Sequence, residues 1–296
     1  MTITRAELKS LFGMAEPGLE PISSKSQEAD GYTIETLRFK MEGVGLVRAL
    51  LTRPSGTVGR LPAILYAHAH GDNLALGASE LIEGRKELLS PLGSVLAAAG
   101  YVTLCLEMPI FGERSGVTES AATKARIWYG KSLVGQMLSE QAAALSYLAT
   151  REDVDPARIG MFGLSLGATL TYWLAAVDPR IASIAHLCCY ADYATLVELG
   201  AHDHHGVYLL VPGMLNKTST GEIAGLVAPR PQLICLGELD ELTPPLSVDR
   251  ALVETRALYA AAGAPEALEV YRQAGTLHQE TAEMRAKVMA FFKCTL

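Results

Sequence analysis

The feature that most constrains the fold is the regular alternation of short apolar runs with helical patterns over most of the chain. The runs that read as strands are "PAILYAHAH", "YVTLCLEM", "RIGMF", "IASIAHLCC", "PQLICLGE" and "ALEVYR". Parallel neighbours in a sheet need crossover connections, which are usually helical and right-handed. Runs that are apolar on both faces are typical of strands buried between two helical layers. The sequence therefore predicts an α/β protein with a mostly parallel sheet and helices on both faces.

The N-terminal part of the chain follows a different pattern. "YTIETLRFKM" and "LVRALLTRP" are joined by "EGVG", which predicts an antiparallel hairpin. Residues 1–28 are predicted to be a helical leader followed by a polar loop. Residues 29–296 are predicted to form a single domain with a small insertion at about 190–228, and residues 122–150 a single long helix. The first residues, "MTITRAELKSLFGM", lack the apolar segment of a secretory signal.

Composition limits the classes of partner. The chain has 296 residues, of which 49% are hydrophobic and 19% charged, as in globular proteins. The net charge is −7 and no Lys/Arg-rich run occurs, which argues against nucleic acid or a membrane surface as a partner. The longest apolar stretch is interrupted by Gly100, Glu107 and Pro109, so no membrane span is expected. Five cysteines, mostly in apolar runs, predict reduced thiols packed in the core of a cytoplasmic protein.

A serine between two glycines marks the junction of a strand and a helix. Gly163-Leu164-Ser165-Leu166-Gly167 matches G-x-S-x-G, the nucleophile elbow. In that turn the serine has a strained backbone, and the glycines let strand and helix approach each other. The N–H of Leu166 would then face a developing oxyanion. The pattern alone is also compatible with an ordinary serine N-cap.

Two further polar residues follow strands in the predicted sheet. Asp240 follows "PQLICLG", and His278 follows "ALEVYR". Ligands bind beyond the carboxyl ends of the strands in open sheets of this kind, so Ser165, Asp240 and His278 are predicted to meet there. The order Ser…Asp…His is that of α/β-hydrolases. Asp192, which follows the preceding strand, is the alternative acid.

The loop "HAHGDN" follows the strand "PAILYA" and is similar to HG-type oxyanion loops. The backbone N–H of His70 is predicted to be the second oxyanion donor. Glu107 and Arg114 could pair in the next strand-end loop. The side chains expected to line a substrate pocket, with core packing as the alternative, are His68, Trp128, Tyr129, Tyr190, His204 and Tyr208.

Neither a metal nor an organic cofactor is expected. Residues 202–205 gather three histidines and an aspartate, but their nearly consecutive spacing does not match a metal site. The chain has no G-x-G-x-x-G motif after a strand and no P-loop. The site residues therefore have to supply the chemistry themselves.

With these motifs the chain resembles the α/β-hydrolase superfamily, and most closely its dienelactone hydrolase-like and acetyl xylan esterase/cephalosporin-C deacetylase-like branch. The stretches that carry the resemblance are "HAHGDN", "EMPIFGERSG", "EDVDPARIGMFGLSLGA" and "APRPQLICLGELDELTPP". The resemblance implies an eight-stranded-type sheet and a triad of Ser165, Asp240 and His278. The chain differs from dienelactone hydrolases at the nucleophile, which is a cysteine in those enzymes and Ser165 in this sequence.

The activity implied is hydrolysis of a carboxylic ester with a small acyl group, such as acetyl, through an acyl-enzyme. The expected partner is a small-molecule ester substrate, and a homo-oligomer is left open. One alternative is hydrolysis of an amide, thioester or carbon–carbon bond, because the same triad serves all of them. Another is a non-catalytic ligand-binding member, because a fold does not guarantee an activity.

Overall fold

A computed structural model describes residues 3–296, which build a mixed sheet of nine strands. The strands are β1 (Leu19–Glu28), β2 (Tyr32–Met41), β3 (Gly45–Pro54), β4 (Leu61–Ala67), β5 (Val102–Leu106), β6 (Val154–Leu164), β7 (Ser183–Leu187), β8 (Gln232–Gly237) and β9 (Leu268–Gln273). Their order is β1-β2-β3-β5-β4-β6-β7-β8-β9. The pairs from β5 to β9 are parallel, whereas β1, β2, β3 and β5 pair antiparallel. The predicted fold class is confirmed.

Helices cover both faces of this sheet. They are α1 (Arg5–Leu11), α2 (Glu80–Glu83), α3 (Leu92–Ala98), α4 (Glu119–Trp128), α5 (Leu133–Thr150), α6 (Leu166–Val177), α7 (Tyr193–Leu199), α8 (Thr220–Gly225), α9 (Pro245–Ala261) and α10 (Ala282–Thr295). Along β4, Ala63 and Leu65 join a core with α5 and α6, while Ile64 and Tyr66 join a second core with α3 and α10. Both faces of the strand are therefore buried, which explains its unbroken apolar sequence.

Of the two parts of the prediction for residues 1–28, the helix is confirmed and the polar loop is wrong. The leader contains the predicted helix, α1, but residues 19–28 form the edge strand β1 instead of a polar loop. All ten residues of β1 lie at least partly in solvent, so its sequence has no apolar alternation by which a strand is recognised. Backbone pairing with β2 holds it in place. This strand is the reason the sheet has nine strands instead of eight.

The single helix predicted over residues 122–150 is two helices. Helix α4 ends at Trp128 and α5 begins at Leu133. Gly130 between them has a φ of +66°, which a helix does not tolerate, and the Ser132 hydroxyl caps α5 by accepting from the N–H of Gly135.

The insertion at residues 190–228 contains α7 and α8, linked by three short 3₁₀ turns. It lies between β7 and β8 and follows the carboxyl end of β7. Its position therefore places it next to the strand ends that carry the candidate site. Among residues 3–296, no helix has the length and apolar character needed to cross a membrane.

Candidate active site

The turn at Ser165 has the geometry of a nucleophile elbow. Ser165 has φ +58° and ψ −118°, and its N–H donates to the carbonyl of Leu187 over 2.9 Å. A Cβ added to Gly163 would lie 2.3 Å from the carbonyl carbon of Gly167, and one added to Gly167 would lie 2.0 Å from the Ala67 oxygen. Both positions therefore require glycine. The Ser165 side chain makes no capping hydrogen bond to α6, so the N-cap interpretation is wrong.

Asp240 and His278 form a directly bonded pair. The Nδ1–H of His278 donates to Oδ2 of Asp240 over 2.7 Å, and the N–H of Leu242 donates to the other carboxylate oxygen over 2.9 Å. Asp240 is 2% exposed. The Nε2 atom of His278 is buried and has no partner within residues 3–296. A carboxylate on Nδ1 fixes the tautomer that leaves Nε2 free to accept a proton.

Asp192 does not compete for this role. Its carboxylate accepts from both the N–H and the hydroxyl of Thr195, over 2.9 and 2.7 Å, and so caps α7. Ser165 follows β6, whereas Asp240 and His278 lie in the loops after β8 and β9 at the same edge of the sheet. The described residues include no hydrogen bond between Ser165 and His278. The structure therefore joins the acid to the histidine and places the serine at the same edge.

The oxyanion loop, residues 68–73, exposes a small number of free donors. The N–H of Ala69 donates to both oxygens of Glu80 over 3.1 Å, and the N–H of Asp72 donates to Nδ1 of His70 over 3.2 Å. Within the described chain, this leaves the N–H groups of His70 and Gly71 without a protein acceptor. These donors and the N–H of Leu166, at the first turn of α6, are available to an oxyanion.

A buried ion pair that the sequence did not predict supports this loop. Glu80 is 1% exposed, accepts from the Tyr66 hydroxyl and pairs with Arg85 over 2.7 Å. Burial raises the pKa of Glu80 and the charge of Arg85 opposes that rise. A Cβ added to Gly71 would overlap the Arg85 guanidinium. The pair therefore holds the loop at two positions. Glu80 bonds to the N–H of Ala69, and Arg85 packs against Gly71.

His70 links the oxyanion loop to the insertion. Its Nε2–H donates to Glu119 over 2.7 Å, and its ring stacks on Tyr208 with centroids 5.0 Å apart. The same Glu119 carboxylate accepts from the N–H of Tyr208 over 3.3 Å. Tyr208, one of the six expected pocket side chains, thus contacts a loop of the site.

The structure places the other five in two kinds of surroundings, the core and the surface. His68 is fully buried, its Nε2 accepts from the N–H of Met108, and burial lowers its pKa to about 3, so it is a neutral structural group. Tyr190 is also fully buried and bonds to the Thr255 hydroxyl. Trp128, Tyr129 and His204 are exposed on the surface.

The expected pairing of Glu107 with Arg114 also takes another form. Arg114 donates to the backbone carbonyl of Glu107 over 2.9 Å, and its charge pairs with Glu140. The Glu107 carboxylate pairs instead with Arg48 over 2.6 Å. Sequence proximity suggested the wrong partner, because the loop turns the two side chains toward different elements.

One group of potential metal-ligand side chains lies at the candidate site. Cys188, Asp240 and His278 bring ligand atoms within 4.8 Å of one another. Burial raises the pKa of the Cys188 thiol well above its usual value, which keeps it protonated, and His278 already holds Asp240. Four of the five cysteines are buried, as the packing role predicted. Residues 202–205 do not converge on a common point with other ligands in the described structure.

Comparisons with known proteins agree with this geometry. A model of the dienelactone hydrolase family matches residues 81–203. YtaP of Bacillus subtilis (strain 168), which carries the name of a hydrolase, is 37% identical over 98% of this chain and 97% of its own. Two solved structures that are under 20% identical share the fold. One, from Bacteroides fragilis, carries the name of an acetyl xylan esterase (19% identity, TM-score 0.73, 91% of this chain and 73% of that chain). The other is a glucuronoyl esterase from Solibacter usitatus (16%, 0.70, 98% and 91%). The chain therefore belongs to the dienelactone hydrolase family of hydrolases, and its fold is the α/β-hydrolase fold.

Proposed function

We propose that the protein is a serine esterase that uses Ser165, His278 and Asp240 as a catalytic triad. The observation that carries the proposal is the buried Nε2 of His278, which has no partner in the described part of the chain and whose opposite nitrogen is held by Asp240. A histidine in that state can act as a general base, because its Nε2 is free to take a proton from a nucleophile. The strained Ser165 turn at the same sheet edge supplies the nucleophile.

The reaction follows from these groups. Ser165 Oγ attacks the ester carbonyl carbon while its proton passes to Nε2 of His278. The carbonyl oxygen becomes an oxyanion that the N–H groups of Leu166 and His70 stabilise. The C–O bond to the alcohol then breaks, and the alcohol leaves with the proton from His278. Asp240 keeps the ring oriented and stabilises the imidazolium throughout.

Hydrolysis of the acyl-enzyme repeats these steps with water. His278 takes a proton from the water, the hydroxide adds to the acyl carbon, and the ester bond to Ser165 breaks as His278 returns the proton to Oγ. The products are a carboxylic acid and free enzyme. We expect a small acyl group such as acetyl. The names of the structural relatives supply starting substrates for a panel, namely acetylated and uronate ester sugars.

We also place the protein in the cytoplasm. The support is that the five cysteines are unpaired within residues 3–296, four of them buried. Proteins of oxidising compartments tend to carry disulfides, which this set does not form.

Labelling with a fluorophosphonate, read by intact mass and peptide mapping, tests the proposal. One adduct on Ser165 in the wild type, and none in Ser165→Ala, is the expected result. Hydrolysis of p-nitrophenyl acetate should be lost in the same variant. If the folded wild type takes no adduct and hydrolyses no ester, the triad is inactive and a ligand-binding role replaces the proposal.

A further inference from the structure

The insertion contains an apolar cavity of about 480 Å³ that the site description has not used. Most of its wall is formed by eight apolar or aromatic side chains: Tyr193, Val197, Val207, Leu209, Leu210, Val211, Met214 and Leu215. Its polar side chains, His202, Asp203, His205 and Asn216, are few. Binding pockets for small molecules have this size and this apolar character. Val197 and Leu210 are about half exposed to solvent, so an apolar ligand that covered them would remove apolar surface from water.

One wall residue connects the cavity to the acid of the triad. His205 lines the cavity, and its Nε2–H donates to the carbonyl of Leu242 over 2.9 Å. The N–H of the same Leu242 donates to Asp240, whose other oxygen holds His278. Burial lowers the pKa of His205, which keeps its ring neutral beside this pair. The cavity is therefore two hydrogen bonds away from Asp240.

The cavity segment also contacts the other two parts of the site. Tyr193 packs edge-on against His205 and against Trp173 of α6, the helix that begins after Ser165, with ring centroids 6.1 Å apart in both cases. Tyr208, which lies between the wall residues Val207 and Leu209, stacks on His70 of the oxyanion loop. The segment that lines the cavity thus contacts the helix that follows Ser165, the oxyanion loop and the loop of Asp240.

We propose that this cavity binds the alcohol part of the ester and that this alcohol is apolar. The inference rests on the proposed function. In the acylation step the alcohol oxygen takes its proton from Nε2 of His278, so the alcohol lies on the histidine side of the carbonyl. The wall residue that links the cavity to that side is His205, which bonds to the loop that carries Asp240, the partner of His278.

The apolar lining decides the chemical class of the alcohol. A sugar buried there would leave several hydroxyl groups without partners, and each unpaired polar group costs about 1–3 kcal/mol. An alkyl or aryl chain gains stability with every carbon that it buries. The favoured substrate is therefore a short-chain ester of an apolar alcohol, in contrast to sugar esters.

A homologous series of alkyl acetates, from ethyl to hexyl acetate, tests this in a pH-stat assay. Each added CH₂ should raise kcat/KM by up to about fourfold until the cavity is filled, as expected for burial of about 0.8 kcal/mol per CH₂. The matched series of p-nitrophenyl acyl esters, from acetate to hexanoate, should show no such rise. Val197→Asp should reduce the gain across the alkyl series by about tenfold, because the carboxylate lies on the cavity wall.

Val253→Asp is the matched control, since Val253 is an exposed valine of α9 outside the cavity. It should keep the wild-type dependence on chain length, and melting curves check that both variants fold. A flat alkyl series in an enzyme that hydrolyses p-nitrophenyl acetate would overturn the cavity assignment alone. A rise confined to the acyl series would overturn it in favour of the acyl side. Absence of both turnover and a fluorophosphonate adduct would overturn the proposed function itself.

Discussion

The Asp240 carboxylate and the His278 ring lie 2.7 Å apart, and this pair leaves one ring nitrogen, Nε2, buried and without a partner among residues 3–296. A buried nitrogen without a hydrogen bond costs free energy that folding does not recover. The atom at which this cost arises, Nε2 of His278, is the one that a general base needs free. The pairing also decides which of two strand-end aspartates acts with the histidine.

Asp240→Asn should lower kcat for p-nitrophenyl acetate by about 10⁴, because an amide no longer fixes the tautomer of His278. Asp192→Asn is the matched control. Asn caps helices as well as Asp does, so α7 should persist and kcat should stay within about twofold of wild type. Steady-state kinetics of both variants gives the answer. A larger loss in Asp192→Asn than in Asp240→Asn would reverse the assignment of the acid.

Glu80→Ala should lower kcat by about 10²-fold with little change in KM. Glu80 touches no substrate in this mechanism, but it holds the N–H of Ala69 and therefore positions the donor of His70 next to it. Loss of one oxyanion donor costs about 2.7–4 kcal/mol in the transition state, which sets the upper limit. Glu80→Gln should retain most of the activity, since its amide oxygen can still accept from Ala69.

Glu35→Gln is the control that separates the positioning of the oxyanion donor from a general loss of stability. Glu35 is also a buried carboxylate, and it pairs with Arg53 and Arg151. It lies on β2, which two strands separate from β4, the nearest strand that leads into a loop of the site. It should lower the melting temperature without changing kcat. If Glu80→Ala and Glu35→Gln have the same kinetic constants, Glu80 is a structural residue and does not position the donor.

The sequence predicted the parts of the fold that repeat a local pattern. Apolar runs between helical stretches identified the strands from β4 to β9. The glycines around Ser165 identified the elbow, because a turn with no space for a Cβ requires glycine at those positions. Strand β1 is a solvent-exposed edge strand whose apolar side chains, Leu19, Pro21 and Ile22, are confined to its first four residues, so it carries no such pattern. Its partner β2 determines its structure.

Contacts between distant residues could not be predicted in this way. Asp192 and Asp240 both follow strands, and only the path of the loops decides which one reaches His278. His68 and His70 are two residues apart in one motif, yet one is neutral in the core and the other bonds to Glu119. The support of Ala69 by Glu80 joins residues eleven positions apart, and no spacing rule in the sequence marks it.

Ser165→Gly should be more stable than Ser165→Ala by about 1 kcal/mol. A side chain at φ +58° costs about 1–3 kcal/mol, whereas glycine removes that cost and loses about 0.5–1 kcal/mol of backbone entropy. Both variants lack the nucleophile, so activity does not enter the comparison. Thermal unfolding should give a melting temperature about 2 °C higher for the glycine variant. Equal or reversed stabilities would show that the elbow is not strained.

The stability of the protein should fall as pH falls below about 6.5. Burial lowers the pKa of both His68 and His186 to about 3 in the folded state, against an ordinary value of 6.5. Above pH 6.5 both states are neutral, so neither histidine affects stability. Between pH 6.5 and 3 the unfolded chain binds protons that the folded chain does not, which favours unfolding.

At pH 5.5 this effect should reduce the free energy of unfolding by about 1.4 kcal/mol per histidine, or about 3 kcal/mol for the two, relative to pH 7.5. Urea unfolding at the two pH values measures it, and the carboxylates with lowered pKa titrate below this window. His186→Asn should make the difference between the two pH values smaller by about 1.4 kcal/mol, whatever it does to stability at pH 7.5. His204→Asn should leave the difference unchanged, because that ring is exposed in the folded protein too. A wild-type stability that is constant from pH 7.5 to 5.5 would mean that the two buried rings gain protons without unfolding.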